Sequence, residues 1–326
     1  MSILISGGAG YIGSHMVLAA LDRGDEVVVL DNLSSGIRSL VAEAAHFHQG
    51  DVGDLALLRR LFHYYSVTAV VHFAGSLIVP ESVSKPLSYY ANNTVASRNL
   101  IETCVHSGVK QFIFSSTAAV YGIPDHNPVT ETTELMPINP YGRSKLMTEW
   151  MLEDVARAHD LRYVALRYFN VAGGDPAGRT GQSTPNATHL IKRACQAALG
   201  RLPVLDIFGT KYPTHDGTGV RDYIHVSDLV AAHALALDHL EQGGAPAVLN
   251  CGYGHGFSVR EVIETVVKVT GQKIATREAP PRAGDLAEMV ADSSRLQSQF
   301  GWSPAHDDLE EIVSTAYAWE RRLNSI

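Results

Sequence analysis

Ile3-Leu4-Ile5-Ser6-Gly7-Gly8-Ala9-Gly10-Tyr11-Ile12-Gly13 is the stretch that decides the fold. A strand-sized apolar run is broken by glycines, after which Val17, Leu18 and Leu21 recur at helical spacing across Ser14 to Arg23. Gly24 ends that helix, and Glu26-Val27-Val28-Val29-Leu30 predicts a second buried strand closing at Asp31. The unit is therefore β-α-β, with its glycines at the first strand-to-helix turn. Glycine there permits a tight turn, lets backbone N–H groups approach a pyrophosphate, and lets helix and strand pack closely. Gly7, Gly10 and Gly13 form GxxGxxG, and Gly8, Gly10 and Gly13 also satisfy GxGxxG. A dinucleotide is the expected ligand. Asp31 selects NAD over NADP, because its carboxylate can accept from a ribose 2′-hydroxyl and would repel a 2′-phosphate.

Working outward, His46-Phe47-His48-Gln49 predicts a third strand followed by Asp51-Val52. Asp51 could face an adenine amino group, or it could cap the helix that begins near Leu55. Val67 to Phe73 predicts a fourth strand, followed by the small pair Ala74-Gly75. Pro80 to Pro86 reads as loop, and Tyr89 to Ser107 as one helix carrying Asn92 and Asn93. Gln111-Phe112-Ile113-Phe114 is a fifth strand running into Ser115-Ser116-Thr117. Carboxyl ends of strands face the ligand crevice in open α/β sheets, so these hydroxyls point toward chemistry. Asn139-Pro140 opens a further helix, on which Tyr141 and Lys145 are four residues apart and share a face.

Residues 175–186 are rich in Gly, Pro, Ser and Thr and predict passage into a second region. Beyond them come a helix over His189 to Leu199, a strand over Val204 to Phe208, and a turn-rich loop from Lys211 to Gly219. Asp228 to Leu240 predicts a helix, and Ala247 to Asn250 a strand returning to the large sheet. The fold class is α/β: a Rossmann-type doubly wound parallel sheet with a smaller mixed α/β substrate domain. Residues 1–174, with later returns near 222–255, form the cofactor domain; 175–326 form mainly the substrate domain, interleaved with the first.

Composition excludes several classes. The 326 residues carry 26 Lys and Arg against 34 Asp and Glu, a net charge of −8, which disfavours sequence-independent nucleic-acid binding. Hydrophobic residues make up 45%, enough for a sizeable core and against disorder. Cys104, Cys195 and Cys251 lack metal spacing and fit a reducing compartment, the cytoplasm. No apolar run reaches membrane-spanning length, and no basic stretch of a secretion signal opens the chain. The 15 His are scattered; His63, His159 and His233 read as surface or packing residues, and no metal is expected.

Taken together, the glycine motif, Asp31, the hydroxyls at 115–117 and Tyr141-x-x-x-Lys145 resemble the extended short-chain dehydrogenase/reductase superfamily. Phe114-Ser-Ser-Thr-Ala-Ala-Val-Tyr-Gly122, Asn139-Pro-Tyr-Gly142, Arg167-Tyr-Phe-Asn170, Gly217-Thr-Gly-Val-Arg-Asp-Tyr-Ile-His-Val226 and Arg282-Ala-Gly-Asp285 resemble its UDP-glucose 4-epimerase family. The likeness runs from residue 2 to about residue 320. It implies reversible C4 epimerisation of a UDP-sugar, through a 4-keto sugar that turns about its diphosphate linkage, on tightly held NAD. Tyr141 would be the acid/base, brought down from a phenol's usual pKa of about 10 by Lys145 and the oxidised nicotinamide. Thr117 would share the 4-hydroxyl proton, where many relatives have Ser. The resemblance places cofactor contacts at Gly7, Gly10, Tyr11, Ile12, Gly13, Asp31, Asn32, Leu33, Ser34, Ser35, Gly36, Asp51 and Val52. It adds Phe73, Ala74, Gly75, Ser76, Leu77, Asn93, Thr117, Tyr141, Lys145 and Phe169. Substrate contacts would be Thr117, Tyr141, Asn170, His189, Leu190, Asp206, Ile207, Phe208, Arg221, Arg282, Asp285 and Met289. Arg221 and Arg282 suit a diphosphate, which a guanidinium fork matches.

Three positions depart from the family pattern: Leu77 stands where some epimerases have Lys, His189 where others have Asn, and Met289 where relatives control room for a 2-N-acetyl group. Met is intermediate in size and flexible, and the expectation leans to unacetylated hexoses, UDP-glucose and UDP-galactose. A UDP-pentose or UDP-N-acetylhexosamine is the alternative substrate. A nucleotide-sugar dehydratase needs an acid and a base directly after the catalytic Thr, where this chain has Ala118-Ala119. A non-catalytic NAD(H) sensor would not require Tyr141, Lys145 and Thr117 together. A homodimer is expected by analogy.

Overall fold

The computed structural model describes residues 1–184, 187–282 and 284–323. Pro185 and Asn186, which end the composition break, Ala283 of the Arg-Ala-Gly-Asp motif, and residues 324–326 lie outside them.

Seven parallel strands form the central sheet. Six are β1 (Ser2–Ser6), β2 (Glu26–Asp31), β3 (His46–Gln49), β4 (Ala69–His72), β5 (Gln111–Ser115) and β6 (Arg162–Tyr168). The seventh, Ala247–Cys251, pairs parallel with β6, and across the sheet the order runs β3-β2-β1-β4-β5-β6 and then this strand. Alternation within each strand builds two cores. Ile3 and Ile5 join Val27, Val29, Val71, Ile113 and Leu166 on one face, packed by Met16 and Val17 of helix Tyr11–Asp22 and Leu229 and Leu237 of helix Val226–Glu241. Leu4 joins Val28, Leu30, Val70, Phe112 and Ala165 on the other, under Leu58, Leu100 and Leu152 of helices Leu55–Tyr64, Ala96–Ser107 and Pro140–Ala158. Burial on both faces is why these strands read as unbroken apolar runs. The order reverses between β1 and β4, and that switch point opens the crevice in which a ligand would sit.

A third core, with Ile191, Ala194, Leu205, Ile207, Val262, Val266, Ile312 and Val313, joins helices Leu190–Ala198, Val259–Thr270 and Leu309–Arg322. A small fourth cluster, Ala118, Val120, Tyr121, Val129, Leu146 and Met289, lies beside the carboxyl end of β5.

Three local expectations are corrected. Val79–Ser84 is a short helix, because Pro80 occupies its first turn, where a missing N–H costs nothing. The expected helix from Tyr89 is broken: Pro86–Tyr89 is one turn, Tyr90–Val95 is π-helical, and regular α-helix runs only over Ala96–Ser107. The cap of the helix Leu55–Tyr64 is Asp54, which accepts from the amides of Ala56 and Leu57, so the capping alternative for Asp51 falls away.

Candidate active site

The loop after β1 carries the glycines, and contacts show what each position requires. Gly7 has φ +74°, and a Cβ there would lie 2.7 Å from the Ala74 amide nitrogen. At Gly13 a Cβ would fall 2.1 Å from the Gly7 carbonyl oxygen. Gly10 caps the helix Tyr11–Asp22 without any side-chain hydrogen bond, so the first-turn amides present an uncapped N-terminus to the crevice. Tyr11 donates its hydroxyl to the Gly173 carbonyl at 2.7 Å, tying this turn to the chain beyond β6.

Asp31 ends β2 nearly buried, 8% exposed, accepting from the Ala9 amide at 2.9 Å and the Leu33 amide at 2.8 Å. The following loop wraps around it: Leu33 has φ +60°, and a Cβ at Gly36 would stand 2.8 Å from Asp31 Oδ1. Asn32 donates to Asp51 at 3.1 Å, and Asp51 also accepts from the Gly53 amide at 2.7 Å, which joins the ends of β2 and β3. Ser34 donates its amide to Asn32, and Val52 is buried in the second core.

After β4, Phe73 to Leu77 runs beneath the π-helical turn. Asn93 of that turn accepts from the Ser76 amide at 2.7 Å and donates to the Ser76 carbonyl and the Ser144 hydroxyl, both at 3.0 Å. The wider turn aims one Asn at two elements, a use typical of π-bulges at functional sites. A Cβ at Gly75 would lie 3.1 Å from Asn93 Oδ1 and 3.7 Å from Lys145 Nζ. Leu77 is 46% exposed and makes no polar contact of the kind a Lys could supply.

The helix Pro140–Ala158 begins at Asn139, whose side chain accepts from the Gly142 amide at 2.8 Å. A Cβ at Gly142 would meet the Ala119 carbonyl oxygen at 2.6 Å, so the helix start presses on the turn Ala118–Tyr121 after β5. That contact brings Tyr141 beside Thr117. Against the expected lowering, burial raises the Tyr141 phenol above its ordinary 10, and the Thr117 hydroxyl pulls the other way. Lys145 is 6% exposed, donates to the Ser115 carbonyl at 2.9 Å, and lies 5.0 Å over the Phe114 ring. Burial lowers its pKa from 10.5 to about 8.

The other residues expected at the substrate lie in the chain beyond β6. Asn170 pairs through its amide with the Asp222 carbonyl at 3.0 Å. His189 precedes the helix Leu190–Ala198, and burial lowers its pKa, so its ring is neutral near pH 7. Arg221 is half-buried and, among the described residues, bonds no carboxylate, donating to the carbonyls of Val220 and Leu286 at 2.8 Å each. A guanidinium held so has donors to spare for an anion. Arg282 is bonded to Asp285 at 2.8 Å and stacks 5.0 Å from the Phe208 ring. The Asp206 carboxylate is taken by Arg277 at 2.8 Å, leaving Asp206, Ile207 and Phe208 to offer backbone rather than this charge. Met289 is 6% exposed and packs in the cluster that Phe169 joins.

Sequence reasoning passed over Ser144 and Glu149. Ser144 links Asn93 to the helix, and Glu149 sits one turn beyond Lys145, holding Arg167 in the interior. Their signal was position alone, on the same face as Tyr141 and Lys145.

The profile of the NAD dependent epimerase/dehydratase family matches residues 3–252. The chain belongs to that family. It is 56% identical over 321 residues to a UDP-glucose 4-epimerase of Azospirillum brasilense, covering 98% of this chain and 92% of that one. A crystal structure of a UDP-glucose 4-epimerase superposes with a TM-score of 0.97 at 45% identity, covering 99% of this chain and 98% of the other. A UDP-glucose-4-epimerase from Stenotrophomonas maltophila, solved with bound NAD and formylated UDP-arabinopyranose, gives 0.96 at 38% identity, over 100% and 99% of the two chains. The cofactor of this epimerase/dehydratase family is NAD, and three features here fit it: the uncapped helix start, the glycine contacts that keep the loop open, and a carboxylate at the end of β2.

Proposed function

We propose that the chain inverts C4 of a UDP-hexose, interconverting UDP-glucose and UDP-galactose. The observation that carries this is Tyr141 beside Thr117, with Lys145 one helical turn away and bonded to the end of β5. Bound NAD supplies a hydride acceptor that returns what it takes, so no net oxidation results. Gly7, Gly10, Gly13, Tyr11 and Ile12 would hold its diphosphate, and Asp31 a ribose hydroxyl.

Tyr141 takes the proton of the sugar 4-hydroxyl and later gives it back to the opposite configuration. Thr117 shares that proton through its hydroxyl. Lys145, charged below about pH 8, favours the phenolate electrostatically. Arg221 and Arg282 hold the diphosphate while the sugar turns. Ala118 and Ala119 carry no proton-transfer group, which argues against dehydration. Met289, which packs with Ala118 and Leu146 in the cluster beside the end of β5, would favour unacetylated hexoses.

The division of labour between 1–174 and 175–326, interleaved near 222–255, belongs to the same reading. So does a homodimer: Val83, Leu87, Val95 and Trp150 are 65%, 81%, 55% and 53% exposed on adjoining helical segments. Light scattering at the mass of a monomer would count against it. A cytoplasmic site is supported by three buried, unpaired cysteines.

The test of the activity is incubation of purified protein with UDP-glucose, without added cofactor, followed by chromatography of the nucleotide sugars. UDP-galactose is the expected product. Its absence from protein shown to retain NAD overturns the proposal.

A further inference from the structure

His72 ends β4 at the switch point of the sheet, 1% exposed, in register with Ser6 of β1 on one side and Phe114 of β5 on the other. Its ring stacks 5.8 Å from the Phe114 ring, over which Lys145 is held. Among the described residues no carboxylate bonds to it. Both ring nitrogens meet hydroxyls, Nδ1 that of Ser6 at 2.6 Å and Nε2 that of Ser97 at 2.7 Å. The proton transfer assigned to Tyr141 and Thr117 makes no use of this imidazole.

The hydroxyls fix which nitrogen carries the proton. Ser97 also bonds to the Asn93 carbonyl, which has no hydrogen of its own, so the single Ser97 proton goes there. Ser97 must then accept from His72, and the imidazole is protonated at Nε2. Burial, with Lys145 nearby, lowers the His72 pKa to about 3, which keeps the ring neutral and leaves Nδ1 to accept from Ser6. Beyond Asn93 the bonds run on in the same sense. Its side chain donates to the Ser144 hydroxyl at 3.0 Å, and Ser144 donates to the Tyr141 carbonyl at 2.7 Å. The Asn93 carbonyl also accepts from Thr148 at 3.3 Å, on the same helix as Tyr141 and Lys145. A continuous polar chain therefore crosses the interior from β1 to the residue that carries the phenol.

Asn93 stands in the π-helical turn Tyr90–Val95, a rare backbone form. Relaxing that turn to α-geometry would rotate Asn93 off Ser76 and Ser144. We propose that His72 is a positioning residue for the reaction: its Nε2–H, acting through Ser97, holds Asn93 in the π-helical turn and so keeps the start of the Tyr141 helix fixed against the Ala74–Ser76 loop. The inference rests on the acid/base reading of Tyr141 above. The chain ends at Tyr141, on the reacting side of the site, so its loss acts on kcat rather than KM.

The experiment compares His72→Gln, His72→Asn and Ser97→Ala with wild type, by steady-state turnover of UDP-glucose in NAD-loaded protein and by thermal unfolding. His72→Gln places an amide N–H where Nε2 donates to Ser97; His72→Asn, one carbon shorter, reaches Ser6 but not Ser97. Both lose the ring and its stacking, so both lower the unfolding temperature alike. kcat should fall about tenfold in His72→Asn and Ser97→Ala, the weight of one hydrogen bond, and stay within about threefold in His72→Gln. KM should stay within about twofold throughout. Equal kcat losses in His72→Gln and His72→Asn overturn the proposal, as does wild-type kcat in Ser97→Ala, which decides alone where neither His72 variant folds. Wild-type protein that holds NAD and makes no UDP-galactose overturns the UDP-sugar reading instead, and this inference with it.

Discussion

Arg167 and Glu149 form a two-pronged ion pair in the interior, Nε to Oε1 at 3.0 Å and Nη2 to Oε2 at 2.6 Å, with side chains 4% and 5% exposed. Ser116 also donates to Glu149, and Tyr121 and Asn250 extend the network. The pair locks the helix that carries Tyr141 and Lys145 to β6 and to the end of β5. Desolvation makes such a pair weak evidence of net stability, but breaking it strands a buried charge. Glu149→Gln or Arg167→Met alone should therefore cost about 3–5 kcal/mol in urea unfolding. Glu149→Leu combined with Arg167→Met should cost clearly less than the sum of those two substitutions made singly. Additive losses would mean the two side chains are not coupled.

Tyr141→Phe removes the proton carrier and little else, since the ring keeps its volume and place. Turnover should fall about 10²- to 10⁴-fold while bound NAD and unfolding temperature hold. Absorbance of extracted cofactor and a chromatographic product assay measure both. Near-normal turnover would remove Tyr141 from the acid/base role.

Lys145 ties stability to pH. Its folded pKa of about 8 lies below the 10.5 of an unfolded lysine. Below pH 8 both states carry the proton, and the folded state bears the full burial penalty. Between 8 and 10.5 the unfolded chain binds more protons, so this group makes stability rise with pH, by up to about 3 kcal/mol. Lys145→Met should lack that rise, read as the difference between wild type and variant in urea unfolding at pH 7 and pH 9.5. Turnover of the wild type should fall above about pH 8, as the charge that favours phenolate is lost. Parallel stability profiles for the two proteins would contradict the buried-charge account.

Most of the sheet was legible because two-sided burial writes itself as apolar runs: Ile3-Leu4-Ile5 and Val27 to Leu30 could be little else. Asn139-Pro140 announced its helix through capping chemistry, and the structure keeps that bond. The π-helical turn at Tyr90–Val95 was hidden, since one extra residue in a turn leaves no periodic trace over so short a span. Pro80 misled because proline breaks helices everywhere except at their start. Glu149 and Arg167 pair across 18 residues and two elements, which no local pattern records. Tyr141, Lys145 and Thr117 were readable as types and spacing. Their convergence depends on Gly142 meeting Ala119, a contact visible only in three dimensions.

Cofactor choice turns on Asp31. Each of its oxygens accepts one backbone amide, from Ala9 and from Leu33, so the carboxylate is fixed in place with a lone pair on each oxygen still free. A ribose diol can donate to those lone pairs; a 2′-phosphate would meet a nearly buried negative charge. Cofactor released from wild-type protein by denaturation should be NAD and not NADP. Asp31→Ala removes both the acceptor for the ribose and the anchor of the loop that Gly36 folds against it. That variant should lose most of its bound NAD, with the unfolding temperature reduced because the buried Ala9 amide and the part-buried Leu33 amide lose their partner. Asp31→Asn keeps the shape and one acceptor oxygen, so it should lose less NAD than the alanine variant. NADP in the wild-type extract, or full NAD occupancy in Asp31→Ala, would each be enough to reject this account of selectivity.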